Sequence, residues 1–143
     1  ELYRAFQKEI SLGNGVAEFL DYCKEKNIFI AILTNGRPKP QQAKIDALGL
    51  HKWFEDDHIF ISGGIGYQKP DPMAFKYIEN AFELNPEETW YIGDTYEADV
   101  IGANGAGWNT VWFNHRNREC LENRANVTIK SIEELRKFIL EQS

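Results

Sequence analysis

Two kinds of apolar run alternate along the chain. Val16, Phe19, Leu20 and Cys23 recur at helical spacing, with Glu18, Asp21, Lys24 and Glu25 turned the other way. That stripe predicts an amphipathic helix over 16–26. Ile28-Phe29-Ile30-Ala31-Ile32-Leu33 follows without alternation. A short, β-branched, unbroken run predicts an interior parallel strand covered on both faces. The pattern then repeats. Pro38 and Pro40 mark a loop and helix start, and Ala43, Ile45, Ala47 and Leu48 predict a helix over 41–48 that stops at Gly49. Trp53 and Phe54 read as packed inward. Residues 58–62 form the next strand, and Gly63-Gly64-Ile65-Gly66 a loop. Asp71 is a good N-cap with Pro72 at the first helical position, and Phe75, Ile78, Ala81 and Phe82 continue the stripe.

Asn85-Pro86-Glu87-Glu88 makes a capped turn before a strand over 89–93. A helix over about 96–106 contains Gly102 and Gly105, which weaken it but permit close packing on the sheet. Strands follow over 109–113 and 127–129, separated by a polar, loop-like stretch over 114–123. Ser131 and Glu134 form a capping box for a last helix carrying Leu135, Phe138 and Ile139. At the other end, Leu2, Phe6 and Ile10 are four apart, a helix stripe with no cap before it. Strand–helix alternation throughout implies right-handed crossovers. The predicted fold is α/β, a Rossmann-like three-layer sandwich with a mainly parallel sheet.

Composition narrows the partners. With 143 residues the chain is one domain's worth, and its net charge of −6 comes without a basic block. Nucleic acid is therefore excluded as a partner, and no segment has the length of a membrane span. The two cysteines, Cys23 and Cys120, fit no metal or redox spacing, and Cys23 falls on a helical apolar face. That usage suits a reducing, cytoplasmic setting. His51, His58 and His115 have no paired acid or metal spacing and read as structural or surface, with His115-Arg116 in a solvated loop and, near a strand end, contact with a substrate as the alternative. The four tryptophans read as core or near-core.

Three strand ends carry polar residues. Thr34-Asn35-Gly36 closes the first strand, Lys69 lies in the loop beyond the second, and Asp94 with Asp99 follows the third. In an open α/β sheet, ligands bind beyond the carboxyl ends of the strands. Two carboxylates there suit Mg²⁺, which prefers oxygen ligands; a plain N-cap is the alternative for Asp94, and for Asp99 the alternatives are a metal-bound water, a salt bridge to Lys69 or a favourable place at the helix N-terminus. Lysine supplies fixed positive charge for a phosphate or a developing oxyanion, and a threonine hydroxyl donates to phosphate oxygens. Together these are parts for phosphoryl transfer. The glycines of 63–66 do not make a dinucleotide fingerprint, since Lys69 stands where a third glycine is needed and Pro70 and Pro72 intervene before the helix.

With these residues in that order, nearly the whole chain resembles the haloacid dehalogenase-like (HAD) hydrolase superfamily. Thr34-Asn35-Gly36 resembles its second motif, Lys69-Pro70-Asp71-Pro72 its third, and Gly93-Asp94-Thr95-Tyr96-Glu97-Ala98-Asp99 its fourth, acidic metal motif. The resemblance is closest to capped members, including phosphatases of nucleotides and small sugar phosphates. It implies an Mg²⁺-dependent phosphatase core in which Thr34 and Lys69 act on the transferring group. Thr34, Asn35 and Lys69 would bind the phosphate, and Asp94 and Asp99 would hold the metal. Residues 1–10 would be the end of a helical cap and 11–143 the hydrolase core.

One motif does not match. The family's first motif is an apolar strand ending in Asp-x-Asp, whose first acid becomes an aspartyl-phosphate, and no such pair occurs here. Asp56-Asp57 precedes a strand, Asp46 is on a helix and Asp71 follows Lys69 in a loop. The resemblance therefore implies a nucleophile upstream of Glu1, a chain inactive by itself, and a sheet lacking its central strand between those ending at Leu33 and Gly93. That gap would be filled by another segment, by rearranged pairing or by self-association. The competing reading is a non-catalytic fragment or interaction module that keeps the fold. A receiver-like phospho-acceptor domain would need an acid pair near its first strand and a lysine near its last.

Overall fold

The structure, a computed structural model, describes residues 15–142. The expected helix over 1–10, and with it the cap assignment, lies outside the described residues. Four helices of two turns or more are found among them: α1 (Val16–Glu25), α2 (Pro38–Ala47), α3 (Pro72–Phe82) and α4 (Ile132–Gln142). The strands are β1 (Ile32–Thr34), β2 (Ile59–Ile61), β3 (Trp90–Gly93), β4 (Asn109–Phe113) and β5 (Val127–Ile129). All pairings are parallel, and they form two ladders, β1-β2 and β3-β4-β5.

Side chains alternate across a strand, so β1, β2 and β3 feed two cores, whereas β4 and β5 feed only the first. Ile32, Ile61, Val111, Phe113 and Ile129 share one core with Phe19 and Leu20 of α1, Ile45 of α2 and Leu135 of α4. Leu33, Phe60 and Tyr91 share the other with Phe75 and Ile78 of α3 and with Ala103 and Trp108. Helices therefore cover both faces, as the alternation of strand and helix predicts. Phe75 is fully buried and meets Tyr91 and Trp108 edge-on at centroid separations of 5.0 and 5.4 Å. Such pairs contribute about 0.5–1.5 kcal/mol each beyond burial.

No ladder joins β1 to β3 among the described residues. Between them lies a cavity of about 380 Å³, bounded by Ile30–Leu33 on one side and Trp90–Ile92 on the other, with Phe19, Cys23, Ile78, Trp108 and Ile139 also lining it. The side-chain layers run on across both faces, so packing holds the two ladders together where backbone bonds do not. The Tyr91 hydroxyl spans the gap by donating to the Leu33 carbonyl at 3.0 Å.

Several elements differ from the sequence expectation. The first strand begins at Ile32 rather than Ile28, and Ile28 and Phe29 are 37% and 41% exposed. Pairing is the reason: on one side β2 starts only at Ile59, after a 3₁₀ turn at Asp56–His58, and on the other lies the cavity. Helix α2 starts at Pro38, because prolines in a first turn forfeit only amides that have no helical acceptor. Residues 62–65 form a single helical turn rather than a loop, ended by Gly66 at φ +89°. The stretch after β3 opens as a π-helix, Tyr96–Ile101, before one α-turn, Gly102–Gly105. Gly102 permits close packing on α3 and the Lys69 loop, not on the sheet: a Cβ there would lie 2.7 Å from Phe75 Cε2 and 3.0 Å from Pro70 Cα. Asp71 caps α3 as expected, accepting from Met73 N at 2.9 Å. Both cysteines are free, and burial pushes the Cys23 thiol up to about 11. No described helix is long and apolar enough to cross a membrane.

Candidate active site

Parallel pairing brings the carboxyl ends of β1, β3 and β4 to one side of the fold, and the polar residues singled out above collect there. Thr34 ends β1 and is 1% exposed. Its Oγ1 accepts a 2.7 Å hydrogen bond from Nε2 of buried Gln41 on α2, which leaves the hydroxyl proton for another acceptor. Gly36 makes room for that side chain: its φ is +149°, and a Cβ would sit 2.6 Å from Gln41 Cγ. Ser62 and Gly63 tie the same turn to the end of β2, Ser62 Oγ accepting from Gly36 N at 2.8 Å and Gly63 N donating to Gly36 O at 2.9 Å.

Asn35 works as a clamp. Its Nδ2 donates to the Lys69 carbonyl at 3.0 Å and its Oδ1 accepts from Lys69 N at 2.9 Å. A side chain on the β1 turn thereby fixes the backbone of a loop 34 residues away. The Lys69–Pro70 peptide in that loop is cis. The lysine side chain is fully buried, and its Nζ donates to Asp99 Oδ1 at 2.8 Å and to the Tyr91 hydroxyl at 3.1 Å. Asp99 is 1% exposed, and its second oxygen accepts from Thr95 N at 2.9 Å, within the turn that follows β3. Burial opposes ionisation of Asp99, but surrounding positive charge, Lys69's included, and these hydrogen bonds hold its carboxyl well below the usual carboxylate range.

Asp94 is the first residue after β3, and its carboxylate has no exposure to solvent. Oδ2 receives Arg116 Nη2 at 2.7 Å and lies 3.2 Å from His115 Nε2. Oδ1 accepts from Thr95 Oγ1 at 3.3 Å, and the backbone carbonyl accepts from Trp112 Nε1 at 3.3 Å. Burial raises the Asp94 pKa and the nearby Asp99 charge adds to that. Positive charge, with the His115 hydrogen bond and Arg116, outweighs both and leaves it below the ordinary value. A buried, ionised carboxylate is the oxygen donor a hard divalent cation takes, and here Arg116 already sits on one of its oxygens.

Of the five residues named from the sequence, Asn35, Lys69, Asp94 and Asp99 belong to one connected network, while Thr34, next in the chain to Asn35, bonds Gln41. The network runs from the β1 turn through Asn35 to Lys69, from Lys69 to Asp99, and through Thr95 to Asp94. The polar atoms of Asn35 and both oxygens of Asp99 have protein partners, and Thr34 is held by Gln41. Sequence reasoning missed Gln41 and Tyr91, and it set His115 and Arg116 in a solvated loop, with substrate contact as the alternative, rather than against Asp94. The polar stretch after β4 reads as solvated, yet His115 and Arg116 turn back onto Asp94. Parallel pairing of Gly93 with Trp112 was the available signal, because it puts the residues after β3 and β4 at the same sheet end. Exposed Glu55 and Asp57 and half-buried His58, at the 3₁₀ turn before β2, could also approach a cation, but they lie in a different part of the chain.

Comparison with known proteins bears on this arrangement. Residues 2–107 match the haloacid dehalogenase-like hydrolase family. A glyceraldehyde 3-phosphate phosphatase of Pyrococcus furiosus is 38% identical over 101 residues, covering 71% of this chain and 41% of that protein. The pyrimidine 5'-nucleotidase YjjG of Escherichia coli is 35% identical over 115 residues, covering 79% and 50%. Among solved structures, the HAD-hydrolase YfnB of Bacillus subtilis, bound to magnesium, superposes with a TM-score of 0.77 at 30% identity, covering 87% of this chain and 54% of that one. The chain thus spans about half the length of the curated relatives it matches.

Proposed function

Since the chain belongs to the haloacid dehalogenase-like hydrolases, we propose that it is the core of an Mg²⁺-dependent phosphatase acting on a small phosphorylated metabolite, a nucleotide or a sugar phosphate. The observation that carries this reading is the continuous network from Asn35 through Lys69 and Asp99 to Asp94, beside the Thr34 hydroxyl. Phosphatase and nucleotidase relatives support the reaction class, and the magnesium-bound neighbour supports the metal.

Each residue has a proposed task. The Thr34 hydroxyl, accepting from Gln41, keeps its proton to donate to a phosphoryl oxygen. Lys69 supplies positive charge for the transferring group, with Asp99 and Tyr91 fixing its ammonium. Asn35 holds the Lys69 backbone and so sets that charge in place relative to Thr34. Asp94 would hold Mg²⁺, with Asp99 in support through Lys69 and Thr95. Bound there, the ion would offset charge between the phosphoryl group and the carboxylates. The attacking group in this proposal is an aspartate upstream of Glu1, on a strand seated between β1 and β3. The cavity of about 380 Å³, with no ladder across it among the described residues, supports that placement.

The same cavity favours a second reading, in which the chain is a non-catalytic module whose open slot takes a strand from another molecule, including a second copy. Assaying Mg²⁺-dependent hydrolysis of p-nitrophenyl phosphate separates the two. The chain alone is expected to be inactive, and the chain extended upstream through an apolar strand ending in Asp-x-Asp is expected to turn over. No turnover by the extended chain would sink the enzyme reading.

A further inference from the structure

Asp94 is the metal ligand of the proposed function, and one of its two oxygens, Oδ2, already carries a cation from the chain itself. Arg116 Nη2 is 2.7 Å from Asp94 Oδ2, a short charge-assisted contact. The carboxylate is fully buried, whereas the arginine side chain is 28% exposed. Its head therefore has water to move into, and Asp94 does not. The backbone beneath Arg116 is fixed. Asn114 donates from Nδ2 to the Arg118 carbonyl at 2.9 Å and accepts from Arg118 N at 2.9 Å, closing a turn with Arg116 at its tip. Moving the guanidinium off Asp94 is then a side-chain rotation and does not open the loop.

We infer that Arg116 is a built-in competitor for the Asp94 cation seat, so that metal binding and release of Arg116 from the carboxylate are one exchange. The inference rests on Asp94 being the metal ligand, as proposed above. Mg²⁺ binds carboxylate oxygen at roughly 2.0–2.1 Å and demands octahedral room for its remaining ligands. A guanidinium at hydrogen-bond distance from the same carboxylate crowds that shell and repels the ion. Arginine stays charged at every accessible pH, so this competitor cannot be removed by deprotonation. It leaves only when something replaces it. By linkage, whatever favours Arg116 turned outward, such as an anionic substrate group within its reach, tightens metal binding, and the metal tightens that anion in return. Arg116 is thus a residue that couples the two ligands.

The test is Mg²⁺ titration of the chain by isothermal calorimetry, comparing the parent with Arg116→Gln, Arg116→Lys and Asp94→Asn. Removing one charge-assisted competitor is expected to tighten Mg²⁺ binding about tenfold in Arg116→Gln. Arg116→Lys should fall between that variant and the parent, and Asp94→Asn should abolish the heat. Mg²⁺ bound at Asp94 with equal or lower affinity in Arg116→Gln would overturn the inference and leave the metal assignment standing. Binding unaffected by Asp94→Asn, or absent from every chain, would overturn both. The unsubstituted chain gives an independent readout: phenylglyoxal labelling of Arg116, followed by mass spectrometry, should rise with Mg²⁺. Labelling that does not rise contradicts the exchange even if a variant fails to fold.

Discussion

Replacing Asp99 by asparagine tests the centre of the network. The substitution keeps the shape and one acceptor oxygen but removes the charge opposite Lys69. In the parent, Lys69 Nζ sits 2.8 Å from Asp99 Oδ1, with the two side chains 0% and 1% exposed. Breaking such a buried pair leaves an uncompensated ammonium in a low-dielectric site and costs about 3–5 kcal/mol. Because asparagine can still accept from Thr95 N or Lys69, the lower end, about 3 kcal/mol, is expected. Urea unfolding at neutral pH is the assay. With a slope of about 1–3 kcal/mol per molar, the midpoint should fall by roughly 1–3 M. Adding Lys69→Met to Asp99→Asn removes the stranded charge and should restore at least ~1 kcal/mol of the loss. A loss below about 1 kcal/mol, or a double variant no more stable than Asp99→Asn, would refute the reasoning, because the pair would then be behaving like an exposed one. The pH dependence has a fixed sign. The folded Asp99 carboxyl is depressed below its ordinary 3.8, so its contribution is complete above that value and is lost as the pH falls towards the folded pKa. The stability gap between parent and Asp99→Asn should therefore narrow on acidification below about 4 and not change between neutral and mildly acidic pH.

Three further outcomes follow from the same geometry. Gly102→Ala sets a Cβ against Phe75 Cε2 and the Pro70 backbone, and should cost about 1–3 kcal/mol in thermal unfolding even though alanine is the better helix former. Gln41→Leu removes the donor to a buried hydroxyl and should cost about 1–3 kcal/mol by denaturant unfolding, with Thr34→Val on top of it costing little more, since the stranded hydroxyl is then gone. Asn35→Ala breaks both bonds to the Lys69 backbone and should raise amide hydrogen exchange at Lys69 well above its level in the parent, while leaving exchange in β4 unchanged.

Local signals predicted some elements well and tertiary ones poorly. Strands β4 and β5 have the expected bounds because each is a short apolar run between clear breakers, and α3 begins where Asp71 and Pro72 announce it. The first strand was over-extended because hydropathy cannot reveal where a partner begins. Ile28 and Phe29 are apolar enough for a sheet interior, but they have neither β2 nor a second neighbour beside them. The sequence expects an opening between β1 and β3 because no Asp-x-Asp strand is found, and among the described residues no ladder joins those two strands. The π-helical start at Tyr96 was not legible, since no residue pattern distinguishes it from an α-helix.

The site divided in the same way. Asp94 and Asp99 stand out in the sequence as charge just after an apolar strand, and Lys69 as a lysine between a glycine loop and two prolines. Gln41 was hidden in a helix of weak amphipathicity, where a glutamine reads as solvent-facing, and only the turn at Gly36 brings it to Thr34. Arg116 was hidden for the opposite reason. A polar stretch after β4 looks like a loop in water, and its return to Asp94 depends on the turn that Asn114 closes. Tyr91 read as one more apolar strand residue, but its hydroxyl joins Lys69 to the Leu33 carbonyl.

The claim that Asp94 holds the metal of a phosphatase is tested most directly by one rate. In the chain extended upstream through an Asp-x-Asp strand, Mg²⁺-dependent hydrolysis of p-nitrophenyl phosphate is measured with and without Asp94→Asn. The account predicts that the substitution lowers kcat/KM at least ~100-fold, the loss expected when a metal's several kcal/mol of transition-state stabilisation goes. Turnover that is unchanged by Asp94→Asn, or that does not need Mg²⁺, would contradict it.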